Sequence, residues 1–298
     1  MISLRHHALT IVAVFLALAV GIVLGGGPLA DVGTTVTASS TDADRPAPSA
    51  EAPRAAYNEA FVSSLGPAVV SGRLAERQVA LVTVPGADER LVGALTDEVA
   101  AAGGTVSARY SLGADLVDPA QKSLVDSLGA QLVSQQFSDD VPAEASTYDR
   151  MGRLLGLAIA VPQVEGGQVT GKSRAILDAM SGAGLLSAPE EASGRAPLVL
   201  VVLGEDPDDD GSDAILAGLA TGLAAQSAGV VVAGVTADGG SGQVGRLRGD
   251  SAGAGVATVD GIDTASGQVT TVLVLQRSLT TPGGAFGASG ADGPVPLG

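Results

Sequence analysis

A run of 20 residues without a charged side chain, Ala8–Gly27, places the strongest constraint on how this chain can fold. As a helix, the run would be about 30 Å long, which matches the hydrocarbon thickness of a bilayer. A cleaved signal peptide usually has a shorter apolar stretch, about 7 to 15 residues, followed by a small-residue cleavage site. The residues that follow here, Pro28, Leu29 and Ala30, fit such a site poorly. The sequence therefore predicts an uncleaved transmembrane helix over residues 8–27.

The charges on either side of this run predict its orientation in the membrane. Arg5 precedes the run, whereas the first three charged residues after it are all acids. Basic residues tend to stay on the cytoplasmic side of a membrane. We therefore expect residues 1–7 to form a cytoplasmic tail, residues 8–27 to contact membrane lipid, and the rest of the chain to lie in the cell envelope.

The rest of the chain divides into a stalk, a folded domain and a tail. Residues 28–56 are rich in proline, alanine and serine, and the prolines interrupt any continuous helix. This composition predicts an extended stalk. Residues 57–280 carry the hydrophobic periodicity of a folded domain. Residues 281–298 are mostly glycine, alanine and proline, which predicts a disordered tail.

Short apolar runs alternate with helical patterns throughout the folded domain. Strands are predicted at Val79–Val84, Thr105–Tyr110, Pro197–Gly204, Val230–Val235 and Val256–Val259. Helices are predicted at Tyr57–Arg77, Asp88–Ala102, Pro119–Gln135, Thr147–Ala160, Gly171–Ala183, Asp213–Ala228 and Thr264–Leu279. This alternation is typical of an α/β domain with a mostly parallel sheet. The continuously apolar run at 197–204 indicates the central strand.

The composition argues against several classes of function. The chain has no cysteine, which excludes disulfides, thiolate nucleophiles and zinc–thiolate sites. Its formal net charge of −16 opposes binding to the phosphates of nucleic acid. The only histidines, His6 and His7, precede the apolar run, so a Ser–His pair cannot form in the external domain. We expect no catalytic site, no bound cofactor and no nucleic-acid partner.

Residues Gly166–Ser173 match a phosphate-binding loop, G-x-x-x-x-G-K-[ST], with the letters GGQVTGKS. Such a loop needs a strand immediately before it and a helix immediately after it. A helix after it is predicted, but the apolar letters LLGLAIAV before it also continue a helical pattern. Beyond the membrane, the loop would also face away from the cytoplasmic nucleotide pool. A glycine-rich turn into an ordinary helix is the favoured interpretation, and a nucleotide-binding enzyme is a lower alternative.

An acidic stretch resembles the start of a calcium-binding loop. Asp206, Asp208 and Asp210, followed by glycine, match the pattern D-x-D-x-D-G. The twelfth position of that loop should be a bidentate glutamate, but it is Ala217. The favoured interpretation is a solvated acidic loop with Asp213 as the N-cap of the following helix. Divalent metal binding by the three aspartates remains an alternative.

Both ends of the chain resemble a known family. The opening letters MISLRHHALTIVAVFLALAVGIVLGGGPLAD and the closing letters VATVDGIDTASGQVTTVLVLQRSL, followed by GGAFGASGADGPVP, are similar to the mycobacterial copper transporters of the MctB family, also called SteB. In the middle, VALVTVPGAD and GGTVSARYSL fit the family's first strand–helix–strand unit. The resemblance implies a copper transporter involved in copper homeostasis. It alternatively implies a scaffold for cell-wall septation, acting through a SteA-like membrane partner and a peptidoglycan hydrolase.

The residues themselves offer little to a copper ion. Copper(I) prefers thiolates, thioethers and imidazoles. The external domain has only two thioethers, Met151 and Met180, while His6 and His7 lie at the cytoplasmic end. A metal role for the two histidines is an alternative to anchoring beside the membrane, which is favoured. The expectation of a link to copper therefore rests on the family resemblance alone. The family's coiled coil after the membrane helix is replaced here by the stalk, so the oligomeric state stays open.

Overall fold

The computed structural model describes residues 51–250, 253 and 255–296. The predicted cytoplasmic tail, the predicted membrane helix at 8–27 and most of the predicted stalk lie outside these residues, as do His6 and His7. None of the helices within the described part combines the length and the apolar character that a bilayer crossing requires.

The described residues form nine α-helices and seven strands, which alternate along most of the chain. The helices are α1 (Glu51–Val70), α2 (Glu89–Ala101), α3 (Ala114–Val117), α4 (Lys122–Leu132), α5 (Thr147–Ile159), α6 (Gly171–Gly182), α7 (Asp210–Ala224), α8 (Gln243–Gly249) and α9 (Ala265–Ser278). The strands are β1 (Gln78–Thr83), β2 (Thr105–Leu112), β3 (Leu186–Ser187), β4 (Leu198–Val202), β5 (Gly229–Gly234), β6 (Ala257–Asp260) and β7 (Ala285–Gly287). The predicted α/β class is confirmed.

The strands form one sheet in the order β3-β2-β1-β4-β5-β6-β7. Every neighbouring pair is parallel except β2 and β3, which are antiparallel. The strand predicted to be central, β4, lies fourth of the seven, between β1 and β5. Its five residues are all buried, as expected for a strand that helices cover on both faces.

The side chains of the central strands alternate between two apolar layers. In β4, Leu198 and Leu200 join the layer beneath α2 and α9, whereas Val199 and Val201 join the layer beneath α5 and α7. This follows from the two-residue period of a strand, which sends successive side chains to opposite faces. The protein therefore has two hydrophobic cores, one on each face of the sheet, and the strands contribute side chains to both.

Two segments differ from their predicted state. Residues 281–298 were predicted to be a disordered tail, but Ala285–Gly287 within them forms β7 and pairs in parallel with β6. Phe286 accounts for the difference, because it is 3 % exposed and joins the apolar layer beneath α9. At the other end, residues 51–56 were assigned to the stalk but form the first residues of α1.

Helices α5 and α7 approach each other through glycine. A Cβ atom added at Gly152 would overlap the carbonyl oxygen of Leu219, and one added at Gly222 would overlap the carbonyl oxygen of Asp149. The two backbones are thus in direct contact, and no side chain fits between them. This contact fixes the position of α7, whose amino-terminal end lies at the carboxyl edge of the sheet.

We expect Gly152→Ala to lower the free energy of unfolding by about 1–3 kcal/mol, because the added methyl group must push two packed helices apart. The matched control is Gly93→Ala in α2, where an added Cβ meets nothing within 4 Å. That change removes an exposed mid-helix glycine and should stabilise the protein by up to about 1 kcal/mol. Urea unfolding of the two variants measures both values. Equal effects of the two changes would contradict the close helix contact.

Candidate functional site

The carboxyl edge of the sheet is where ligands bind in open α/β folds, at the point where the strand order reverses. In this sheet the chain moves outward from β1 to β2 on one side and from β4 to β5 and β6 on the other. The reversal therefore lies between β1 and β4. The loops that follow these two strands, together with α7 and α8, form the candidate site.

The loops after β1 and β4 are packed tightly against each other. A Cβ added at Gly86, which has a φ of +84°, would lie 2.9 Å from the backbone nitrogen of Glu205. A Cβ added at Gly204 would overlap the carbonyl oxygen of Pro85. Only glycine permits such a close approach of two backbones. A cavity of about 200 Å³ lies at these loops, with Pro85 and Glu205 among its lining residues.

An arginine of α8 holds the acidic loop after β4. Arg246 Nε lies 2.5 Å from Asp213 Oδ2, and its Nη2 lies 2.7 Å from Asp206 Oδ1. The hydrogen bond from Arg246 is the main reason that the pKa of Asp206 is lowered. The pair is therefore intact above the ordinary carboxyl pKa of about 4, and it is lost as the pH falls through the lowered pKa of the folded state.

The three aspartates considered as metal ligands have different surroundings. Asp206 pairs closely with Arg246. Asp208 is 91 % exposed, with its Oδ1 3.6 Å from Arg246 Nη1 and its backbone at φ +51°. Asp210 is the first residue of α7. Within residues 51–250, 253 and 255–296, no group of three or more His, Cys, Asp and Glu side chains is placed to hold a metal ion. The positive charge beside these aspartates is the guanidinium group of Arg246.

The N-cap of α7 was predicted at the wrong residue. Asp209 is the cap, because its Oδ1 accepts from the backbone nitrogen of Ser212 at 2.8 Å and its Oδ2 accepts from the Ser212 hydroxyl at 2.6 Å. Asp213, the residue predicted to be the cap, lies inside the first turn and pairs with Arg246. Several acids in this run could cap a helix. Asp213 pairs with Arg246 instead, so Asp209 is the residue that caps α7.

A second arginine of α8 ties β6 to β7. Arg248 Nη2 donates to Asp260 Oδ1 at 2.7 Å and to the carbonyl oxygen of Phe286 at 2.6 Å, and its Nε donates to the Thr258 hydroxyl at 2.9 Å. The side chain of Asp260 is fully buried at the end of β6. A buried carboxylate requires such a partner, because isolated charge is costly in a low-dielectric interior.

Neither arginine is predicted from the sequence to be functional, although the sequence carries a signal for both. Arg246 and Arg248 are the only basic residues between Arg195 and Arg277, in a stretch that is otherwise rich in acids. Two cations in an acidic segment have many possible partners, and the sequence does not indicate which. The fold decides this by placing α8 beside the ends of β5 and β6.

Further carboxylates at this edge accept from backbone nitrogens. Asp238 Oδ2 accepts from Val235 at 2.7 Å, and burial raises the pKa of Asp238. Asp263 Oδ1 accepts from the backbone nitrogen of Thr236 at 2.6 Å. These hydrogen bonds stabilise the loops after β5 and β6.

The loop Gly166–Ser173 lacks the context of a phosphate-binding loop. Six of the eight letters LLGLAIAV before it belong to helix α5, and the next residue, Ala160, makes only an isolated bridge to Ala196, so none of the seven strands leads into the loop. Thr170 and Ser173 form a capping box at the start of α6, and Ser173 is fully buried. Lys172 Nζ lies 3.0 Å from Asp140 and 5.5 Å from the ring centroid of Phe137. The geometry agrees with the favoured interpretation, a turn that leads into an ordinary helix.

The two thioethers of the described residues lie in the core. Met151 and Met180 are both 0 % exposed and join the apolar layer beneath α5 and α7. The sequence has no cysteine, and its two histidines precede the described residues. The surface of the described part therefore presents none of the soft donors that copper(I) prefers.

Helix α1 carries a row of exposed apolar side chains. Tyr57, Phe61, Leu65 and Val69 recur every four residues and are 69, 53, 46 and 45 % exposed. The first two rings stack with their centroids 6.2 Å apart. Residues four apart lie on one face of a helix. We call these four residues the α1 stripe. Among the described residues, Leu124 is the only other large hydrophobic side chain that is exposed.

Fold and site together define an α/β domain of the doubly wound type, whose carboxyl edge is held by arginine–carboxylate pairs and whose first helix exposes an apolar stripe. Comparison with known proteins assigns the family. Residues 1–296 match the family described as "Copper transport outer membrane protein, MctB". The chain belongs to the MctB family.

The curated relatives carry the same name. Proteins named "Copper transporter MctB" from Mycobacterium bovis and from Mycobacterium tuberculosis (strain H37Rv) are each 32 % identical over 296 residues, which cover 92 % of this chain and 92 % of the relative. A protein of that name from Mycobacterium leprae is 32 % identical over 314 residues, with 94 % of each chain covered. The predicted family resemblance is confirmed.

The two arginines of α8 are expected to differ in their effect on stability. Arg248→Ala leaves the buried Asp260 carboxylate without its cation and should cost about 3–5 kcal/mol. Arg246→Ala removes charged hydrogen bonds from partly exposed acids and should cost about 1.5–3 kcal/mol. The control Arg90→Ala removes an ion pair with an 89 % exposed arginine side chain and should have no measurable effect. Thermal unfolding at pH 7 ranks the three, and a reversed order would contradict this account of the edge.

Proposed function

We propose that this protein is a membrane-anchored envelope protein of copper homeostasis, and that its α/β domain is a non-catalytic docking module. Family membership supports the link to copper, since the curated relatives are named copper transporters. The apolar run at residues 8–27 supports the anchor. The domain itself carries no copper in this proposal, because its only thioethers are buried and it has no cysteine or histidine.

The observation that carries the docking role is the α1 stripe. Four of the five exposed large hydrophobic side chains among the described residues lie on this one helix face. Contiguous exposed apolar surface of this kind marks interaction sites in soluble domains. Only residues 28–50 separate α1 from the predicted membrane segment. We therefore propose that the stripe binds a partner protein at the membrane, of the SteA-like type implied by the family resemblance.

A scaffold role in cell-wall septation is the second candidate function. The α1 stripe favours it as well, because a scaffold acts through docked partners. The two functions differ in what is lost with the stripe. Cells that fail in copper homeostasis accumulate copper under load, whereas cells that fail in septation form misplaced or missing septa.

We expect Phe61→Glu to abolish complementation of a deletion strain, because a charge in the α1 stripe opposes apolar docking. The stability of the protein should change by less than about 0.5 kcal/mol, since the side chain is exposed. The matched control is Leu124→Glu in α4, which places the same charge at the other exposed hydrophobic residue and should complement fully. Cellular copper under load and septum counts are measured together. Full complementation by Phe61→Glu in both assays would rule out docking through the stripe.

The double variant Met151→Leu, Met180→Leu tests whether the domain handles copper with its own donors. Leucine nearly conserves the volume of each buried methionine, so each change should cost less than about 1.5 kcal/mol. We expect unchanged cellular copper in a deletion strain that expresses this variant. Copper accumulation with normal amounts of folded protein would assign a copper-carrying role to the thioethers and overturn the docking proposal for this function.

A further inference from the structure

Helix α1 is held to the rest of the domain by few contacts. Only two of its 20 residues, Gly66 and Val70, are buried. Val62 packs against the apolar layer beneath α2 and α9 but is only partly buried. Glu59 Oε1 accepts from the backbone nitrogen of Ala265 at 2.8 Å. Segments with few buried apolar contacts open locally at a small cost in free energy. Detachment of α1 is therefore expected to cost much less than unfolding of the sheet.

A carboxyl group of α2 lies beside the contact between α1 and the domain. Glu98 Oε2 is buried and has no hydrogen-bond partner among the described residues. A Cβ atom added at Gly66 would lie 4.0 Å from Glu98 Oε1 and 2.8 Å from Val269 Cγ2 of α9. The backbone of α1 thus lies close to both neighbouring helices at this carboxyl group. A buried oxygen without a partner costs free energy, and the cost is larger when the group is charged.

The charged residues of α1 lie away from Glu98. They all lie about two helical turns or more from Gly66, and they are Glu51, Arg54 and Glu59. Arg73 and Arg77, which follow α1, each donate to a backbone carbonyl oxygen. Within this segment no cation therefore faces the carboxyl group.

The other elements around Glu98 supply no cation either, within the part of the chain that the structure describes. The only charged residue of α9, Arg277, donates to carbonyl oxygens beyond the carboxyl end of that helix. Arg90 of α2 and Arg109 of β2 each pair with an acid at the amino end of α2. Strand β1 has no charged residue. An ionised Glu98 thus has no opposite charge to offset its burial.

We propose that Glu98 makes the attachment of α1 to the domain depend on pH. When the carboxyl group is protonated, its burial costs less and α1 packs on α2 and α9. When the group is ionised, its charge is better solvated by water, and α1 separates from the two helices more often. Glu98 acts on the helix that carries the α1 stripe, but the proposal does not depend on docking through the stripe.

The sign of this dependence follows from the surroundings of the carboxyl group. Burial, followed by the like charge of Asp97, raises the pKa of Glu98. A raised pKa means that the packed state prefers the protonated form. The attachment is therefore strongest below the ordinary glutamate pKa of about 4.3, and it weakens as the pH rises through the raised pKa of the packed state.

Hydrogen exchange of the full-length chain in lipid nanodiscs tests the proposal between about pH 4.5 and pH 7.5. The exchange of each amide is expressed relative to an unstructured chain at the same pH, which removes the chemical effect of pH on exchange. We expect the protection of the α1 amides near Gly66 to fall about fivefold across this range, as for a buried group that loses its compensation. The amides of α5, on the other face of the sheet, are the internal reference and should keep their protection.

Three variants separate Glu98 from other acids. Glu98→Gln cannot ionise, so protection of α1 should be the same at both ends of the pH range. Glu98→Leu replaces the carboxyl group with an apolar side chain that suits the contact and should give protection at both pH values at least equal to that of the wild type at low pH. The matched control Asp97→Asn makes the same change at the exposed neighbouring acid of α2 and should retain the pH dependence.

Several results would overturn the proposal. Protection of α1 that does not change with pH in the wild type would show that ionisation of Glu98 leaves the attachment unaltered. An unchanged pH dependence in both Glu98 variants would assign the effect to another group. An equal loss of protection in α5 would assign it to the stability of the whole domain. None of these results bears on copper homeostasis or on the partner of the α1 stripe.

Discussion

The two central strands are buried on both faces, and this burial determines where the surrounding helices must pack. β1 and β4 are apolar along nearly their whole length, so each face of the sheet must be covered by helices. α2 and α9 cover one face, while α5 and α7 cover the other. The glycine contact between α5 and α7 then sets where α7 begins, and with it one wall of the cavity at the sheet edge.

The carboxyl edge shows how a strongly acidic chain uses its few cations. Arg246 joins Asp206 of the loop after β4 to Asp213 of α7, and Arg248 joins Asp260 of β6 to the backbone of β7. Arginine–carboxylate ion pairs therefore hold the carboxyl edge of the sheet together, beyond the end of the apolar core. The same ion pairs explain why the acidic loop matches the start of a calcium-loop pattern in sequence but does not form such a site in three dimensions. A guanidinium group satisfies Asp206 and Asp213, and the loop turns through the exposed Asp208.

The name of the family indicates a link to copper, whereas the described residues present no accessible ligand for copper(I). Relatives are named copper transporters, yet the described residues bury both thioethers and contain no cysteine or histidine. The proposed docking role would reconcile the two, because in that proposal the metal does not contact this domain. In the same proposal a partner covers the α1 stripe, whose four large apolar side chains are exposed to solvent.

The α/β class, the central strand and the turn at Gly166–Ser173 could be predicted from the sequence, because these follow from local periodicity and turn residues. Other features depend on contacts between residues that are far apart in the sequence. β7 forms because Phe286 finds an apolar layer made by distant residues, and Asp209 rather than Asp213 caps α7 because Arg246 arrives from a segment more than 30 residues away. Pairings of this kind depend on which strand ends are neighbours, and strand order is a long-range property that no local pattern encodes.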